Sequence, residues 1–92
     1  MDTPWTVKVN FHAQSDLDEL DDPVRRDALA AIRDLENDPF PTDVVKMRGA
    51  RNRYRIKFYG NRYRIIYQVS ESRQLVIVLR VRRRDADTYS GF

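Results

Sequence analysis

The sequence predicts an α+β domain in the order β-α-α-β-β-β, a small, mostly antiparallel twisted sheet with two N-terminal helices packed on one face and a short C-terminal tail or helical turn. Three observations carry that expectation. The chain opens on strict two-residue alternation, continues through apolar residues at helical spacing, and closes on alternating or apolar runs separated by short turns. Its 92 residues, 41 % of them hydrophobic, suit a single domain over 1–92 with one core.

Trp5 to Phe11 reads W-T-V-K-V-N-F, which places Trp5, Val7, Val9 and Phe11 on one face of a half-buried strand. A short helix over about Ala13 to Leu20 turns Leu17 and Leu20 inward and Asp16, Asp18 and Glu19 outward. Asp22-Pro23 then reads as an N-cap followed by proline at the first helical position. Val24, Ala28, Leu29, Ile32 and Leu35 continue at helical spacing until Asn37-Asp38-Pro39 stops the helix. Residues Phe40 to Asn52 form a loop region, in which Val44, Val45 and Met47 are candidates to start a strand.

Arg53 to Tyr59 and Arg62 to Gln68 alternate on either side of Gly60-Asn61, a favourable two-residue hairpin turn. With that turn Tyr59 pairs with Arg62, Lys57 lies opposite Arg64, and Arg55 lies opposite Ile66. Parity then sends Tyr54, Ile56, Phe58, Tyr63, Ile65 and Tyr67 to the helix side, and Arg53, Arg55, Lys57, Arg62 and Arg64 to the other. A three-residue loop would scramble this register; only the two-residue turn gathers Tyr54, Phe58, Tyr63 and Tyr67 on one side. After a turn at Glu71-Ser72, Gln74 to Val81 is apolar on both faces, as a central strand should be. Arg82 to Tyr89 is expected to leave the sheet.

The net charge of +3 conceals a steep asymmetry. Met1 to Val45 carries four basic residues (Lys8, Arg25, Arg26, Arg33) against eleven acidic ones, a balance of −7. Lys46 to Phe92 carries thirteen basic residues against Glu71, Asp85 and Asp87, a balance of +10. Like charges directly opposite on neighbouring strands repel, and no acid interrupts Lys46 to Gln68. Such a face suits a polyanion, and guanidinium groups match phosphate oxygens bidentately. The expected nucleic-acid-binding cations around Arg55, Lys57 and Arg64 are Lys46, Arg48, Arg53, Arg62, Arg82 and Arg84.

Other chemistries find no residues. The sequence has no cysteine and one histidine, His12, so neither a thiolate site nor a histidine zinc site is expected. Phosphate loops, GxGxxG and HExxH are missing, and the serines at 15, 70, 72 and 90 lack a histidine to activate them. The acidic cluster from Asp16 to Asp22 has the spacing of a solvated helix face. No metal and no cofactor are expected. The run Leu75 to Leu79 is too short to cross a bilayer, and Met1-Asp2-Thr3-Pro4 lacks signal-peptide character, so a cytoplasmic location is expected.

Taken together, W-x-V-x-V, a helix hairpin ending in L-x-x-D-P, K-M-R-G, Y-R-I-K, R-Y-R-I-I-Y-Q-V, and a last strand followed by R-R and Y resemble the RelE/ParE toxin superfamily over essentially the whole chain. The second half is most similar to the RelE branch. That resemblance implies the toxin of a type II toxin–antitoxin pair with a cognate antitoxin. It also implies a metal-independent endoribonuclease that cleaves mRNA in the ribosomal A site, in contact with 16S rRNA, through attack by the RNA 2′-hydroxyl. Position by position, the resemblance assigns catalysis to Arg55, Lys57, Arg64, Arg83 and Tyr89. Clustered cations would stabilise the charge of a phosphorane, and Tyr89 would stack on a base.

The sequence departs from the RelE pattern at Arg55, where a lysine is often the proposed base. Arginine stays protonated, which leaves Lys57 or Tyr89 to take the proton, or alignment and electrostatics to act alone. A ParE-like DNA gyrase poison without nuclease activity is the alternative the same resemblance offers, and a degenerate binding module is a third.

Overall fold

The opening alternation yields a shorter strand than its apolar pattern predicts. In the computed structural model, which describes residues 3–84, β1 spans Thr6–Val9 and helix α1 begins at once, over Phe11–Asp18. The reason is Asn10, whose side-chain oxygen accepts from the Ala13 backbone N–H at 2.8 Å and caps the helix. Phe11 therefore leaves the strand face on which alternation placed it and stands 82 % exposed on the first turn of α1.

Helix α2 spans Asp22–Asp34. Its N-cap is Asp21, one residue before the Asp22 that the sequence favoured, and Asp22 instead pairs with Arg25 at 2.8 Å. Arg25 also donates to the carbonyls of Leu17, Asp18 and Leu20, so one guanidinium satisfies the end of α1 and holds the helix corner. Val24, Ala28 and Ile32 are buried from α2, with Leu35 just beyond it. Leu29, expected inward, sits one residue around from that stripe and is 44 % exposed.

Four more strands complete the sheet: β2 at Val45–Lys46, β3 at Arg53–Phe58, β4 at Tyr63–Ser70 and β5 at Leu75–Arg83. The short β2 adds a strand to the predicted order, and the five-stranded sheet runs β1-β5-β4-β3-β2. Only β1 against β5 is parallel; the other pairings are antiparallel. Strand β5 starts one residue later than predicted, because Gln74 adopts a left-handed turn conformation with φ 52°. It also continues further, so Arg82 and Arg83 belong to the sheet and not to a departing tail. Continued pairing with β4 outweighs the cluster of like charges.

The β3–β4 register is the one the two-residue turn predicts, with Arg55 opposite Ile66, Lys57 opposite Arg64 and Phe58 opposite Tyr63. Gly60 and Asn61 both have positive φ (63° and 72°), as a primed hairpin turn demands. Tyr59 joins them at φ 53°, and its N–H donates to the Asp27 carboxylate at 2.8 Å, tying the hairpin to α2.

Helices and one sheet face enclose the core, formed by Ala13, Leu17, Val24, Ala28, Ile32 and Leu35 against Ile56, Phe58, Ile65, Tyr67, Val69, Val76, Val78 and Val81. Tyr67 is fully buried, and its hydroxyl donates to the Pro39 carbonyl at 2.7 Å. Burial, with Asp38, Tyr54 and Asp43 nearby, pushes the Tyr67 phenol well above its ordinary range. Trp5, Phe40, Tyr54 and Tyr67 form a chain of ring contacts that closes one end of the core.

Candidate nucleic-acid interface

The side of the sheet away from the helices carries the cations, and pairing arranges them in rows. Lys57 lies opposite Arg64, and Arg64 lies opposite Arg82, a straight row of three cations across β3, β4 and β5. The next row is Arg55, Ile66 and Arg80. Directly opposed side chains leave the backbone about 5 Å apart. No aspartate or glutamate occurs anywhere in β3, β4 or β5. Lys57 is exposed, whereas Arg55, Arg64 and Arg82 are partly buried.

Local contacts hold parts of this surface. The Arg64 guanidinium donates to the carbonyls of Asn61 and Tyr63 at 3.2 and 3.1 Å, which anchors it beside the hairpin tip. Ile66 is fully buried although it faces away from α1 and α2. Its cross-strand neighbours are Arg55 and Arg80, whose aliphatic stems are long enough to lie over it. A well-packed residue thus supports the cations from beneath.

The expected site residues do not all converge. Arg55, Lys57 and Arg64 share the face, and Arg53 begins β3 on the same parity. Arg83 lies opposite Tyr63, which packs with the core, so Arg83 belongs to the helix side at the open end of the sheet. A one-residue alternation between Arg82 and Arg83 makes the difference: Arg82, not Arg83, completes the basic row. Arg62 and Arg84 join Arg83 around a cleft of about 750 Å³ lined also by Asp21, Tyr59 and Tyr63. Lys46 on β2 pairs with Tyr54 at the far edge, and exposed Arg48 lies just beyond it. Tyr89 and the expected tail helix lie outside the described residues.

Sequence reasoning missed two features. The bulge between Ile66 and Tyr67 breaks the two-residue count along β5, and no local pattern announces it. Asp16 on α1, read as part of a solvated face, instead pairs with Arg80 at 2.8 Å across 64 positions of sequence. That contact raises the Arg80 guanidinium pKa further, chiefly through its hydrogen bond to Asp16. Among the described residues, no group of three or more histidine, cysteine, aspartate or glutamate side chains could hold a metal ion, and no helix is long and apolar enough to cross a membrane.

The sheet with its cationic face defines a class of small protein that comparison identifies. The profile of the ParE toxin of type II toxin–antitoxin systems matches residues 7–88. The chain belongs to this family, and so to the RelE/ParE superfamily of toxins of type II toxin–antitoxin systems. The archaeal RelE of Pyrococcus horikoshii, solved with RelB, is 26 % identical with a TM-score of 0.75 and covers 90 % of this chain and 98 % of its own. The isolated Escherichia coli RelE toxin is 24 % identical with a TM-score of 0.75, covering 95 % and 93 %. A toxin–antitoxin complex from Mycobacterium tuberculosis gives 24 % and 0.72 over 88 % and 99 %. No curated protein sequence matches.

Proposed function

We propose that the protein is a ribosome-dependent endoribonuclease that cleaves mRNA in the A site without a metal and so inhibits translation in the cytoplasm. One observation carries the reading: the uninterrupted row Lys57, Arg64 and Arg82, with Arg55 beside it, on the face opposite the core that α1 and α2 cover. Such a row repels itself unless an anion lies over it, and a phosphodiester backbone is the anion its donors fit.

In the reaction the 2′-oxygen forms a bond to phosphorus and the bond to the 5′-oxygen breaks. The 2′-hydroxyl loses a proton and the leaving oxygen gains one. Arg55 and Arg64 stabilise the extra charge on the phosphorane, as fixed donors do in many transfer enzymes. Lys57 is the proposed base, since an arginine cannot surrender its proton. Arg82 and Arg83, on opposite faces of the end of β5, contact the RNA on either side of the rim. Lys46, Arg48, Arg53, Arg62 and Arg84 bind its flanks, and Tyr89 stacks on a base. A cognate antitoxin restrains the toxin, as RelB accompanies RelE in the Pyrococcus horikoshii complex.

The family profile supports a second reading, a ParE-like gyrase poison that cuts no RNA. Primer extension on translated message after induction separates the two. Cuts in the A site, with naked RNA intact, support the nuclease. Gyrase-linked DNA breaks without message cuts overturn it. Lys57→Ala and Arg83→Ala should each abolish growth arrest while the fold persists; retained toxicity in both sinks the mechanism.

A further inference from the structure

We infer that Asp16 is a positioning residue for the RNA site: its carboxylate sets the course of the last strand and so the places from which Arg82 and Arg83 act. This role rests on the reading of the cationic face as the RNA site. The pairing of β1 with β5 stops at Val9 opposite Val78, and the Asn10 N–H makes a last bond to the Val78 carbonyl at 3.0 Å. The chain then turns into α1, so among the described residues no strand lies beside the outer edge of β5 beyond Val78.

Immediately afterwards β5 is bulged. Ile66 pairs with Arg80 and Tyr67 with Val78, which leaves Leu79 as the extra residue. A bulge bends its strand and re-aims the residues beyond it. Beyond this one lies Arg80-Val81-Arg82-Arg83, and Arg82 is pushed from Arg64, directly opposite. On the β4 side the ladder holds this segment, extended by the Arg84 N–H to the Arg62 carbonyl at 2.7 Å. On the outer side Asp16 does so. One of its oxygens, Oδ2, accepts both from Arg80 Nε at 2.8 Å and from the Val81 backbone N–H at 2.9 Å. Its Oδ1 accepts from the other end of the same guanidinium at 3.2 Å.

A carboxylate thus takes the place of the missing strand, satisfying an edge N–H that β1 no longer reaches. It simultaneously turns Arg80 away from phosphate duty, so the cations left to bind RNA beyond the bulge are Arg82, Arg83 and Arg84. Asp16, Arg80, Val81, Arg82 and Arg83 line one shallow cleft of about 380 Å³, which places the anchor beside the groups it aims.

The test measures cleavage of ribosome-bound message by the full chain and its Asp16→Ala, Asp16→Asn and Arg80→Met variants, with melting temperature and Val81 amide hydrogen exchange alongside. Asp16→Ala should lower kcat about tenfold or more, as small misplacements of catalytic groups do, with KM changed less than about twofold and faster Val81 exchange. Asp16→Asn, which retains an acceptor for Val81, and Arg80→Met, which retains the backbone bond, should each lose less. In an Arg82→Ala background Asp16→Ala should cost less than in the wild type. Equal losses in both backgrounds, or full activity for a folded Asp16→Ala, overturn the inference. If Asp16→Ala does not fold, the other two variants decide it by the same comparison. A wild-type chain that cuts no message refutes the functional reading itself, which is a different result.

Discussion

The two faces of one sheet obey opposite rules. On the helix side, Ile56, Ile65, Tyr67 and Val69 are buried among Ala13, Leu17, Ala28 and Leu35, and the hydroxyl of Tyr67 has its partner in Pro39. On the other side the same strands carry Arg55, Lys57, Arg64 and Arg82, with Lys57, Arg64 and Arg82 directly opposed. The first arrangement lowers the energy of the folded chain by itself. The second opposes it, because Lys57, Arg64 and Arg82 set like charges side by side. Neighbouring residues of one strand therefore belong alternately to the core and to the cationic face, and the hairpin register separates the two sets.

That division makes the largest predicted effects kinetic. Lys57→Ala or Arg64→Ala should reduce message cleavage by about 10²–10³-fold, the loss typical of removing one preorganised charge-stabilising donor. Circular dichroism should remain that of the wild type. A loss smaller than about tenfold for both would show that the face is not the catalytic one.

Substitutions of the buried core residues on the helix side should act on stability alone. Ile65→Ala leaves a cavity in the core and should cost about 2–5 kcal/mol in denaturant unfolding, with cleavage per folded molecule unchanged. Ile66→Ala, one residue on, removes the support beneath Arg55 and Arg80. It should destabilise the chain and also slow cleavage. Equal kinetic behaviour in the two variants would break the comparison between faces.

A smaller effect concerns alkaline pH. The Tyr67 phenol is raised mainly by burial, so the folded state retains a proton that the unfolded chain releases near pH ~10. The stability from this group is complete below that pH and is lost as pH rises through the folded value. Tyr67→Phe should remove this alkaline loss while costing about 1–3 kcal/mol at neutral pH, because the Pro39 carbonyl is left without its donor. Urea unfolding at neutral and at strongly alkaline pH would measure both. The smallest effect expected is a gain: Lys57→Ala should stabilise the chain by about 0.2–1 kcal/mol in low salt by relieving its opposition to Arg64.

Much of this architecture is legible in the sequence. The Gly60-Asn61 turn predicts the register that opposes Lys57 to Arg64, because a primed two-residue turn admits one pairing and the aromatics agree with its parity. Phe11 misleads, since alternation registers hydrophobicity but not the competition from the capping side chain of Asn10. Leu29 misleads by a single step around the helix. Arg82 and Arg83 read as lying beyond the sheet because three consecutive arginines resemble a solvated tail.

The sequence by itself determined the order of the two helices and the four longer strands, the separation of charge between the two halves, the hairpin register and the superfamily, since each depends on periodicity, composition or residues close in the chain. Only the tertiary structure decided which arginine completes the basic row and which acid steers it. Both depend on contacts between distant segments: the bulge of β5 against β4 assigns Arg82 to the row with Arg64, and α1 brings Asp16 to Arg80 across 64 positions. Strand parity is a local count, and one extra residue in a remote pairing resets it.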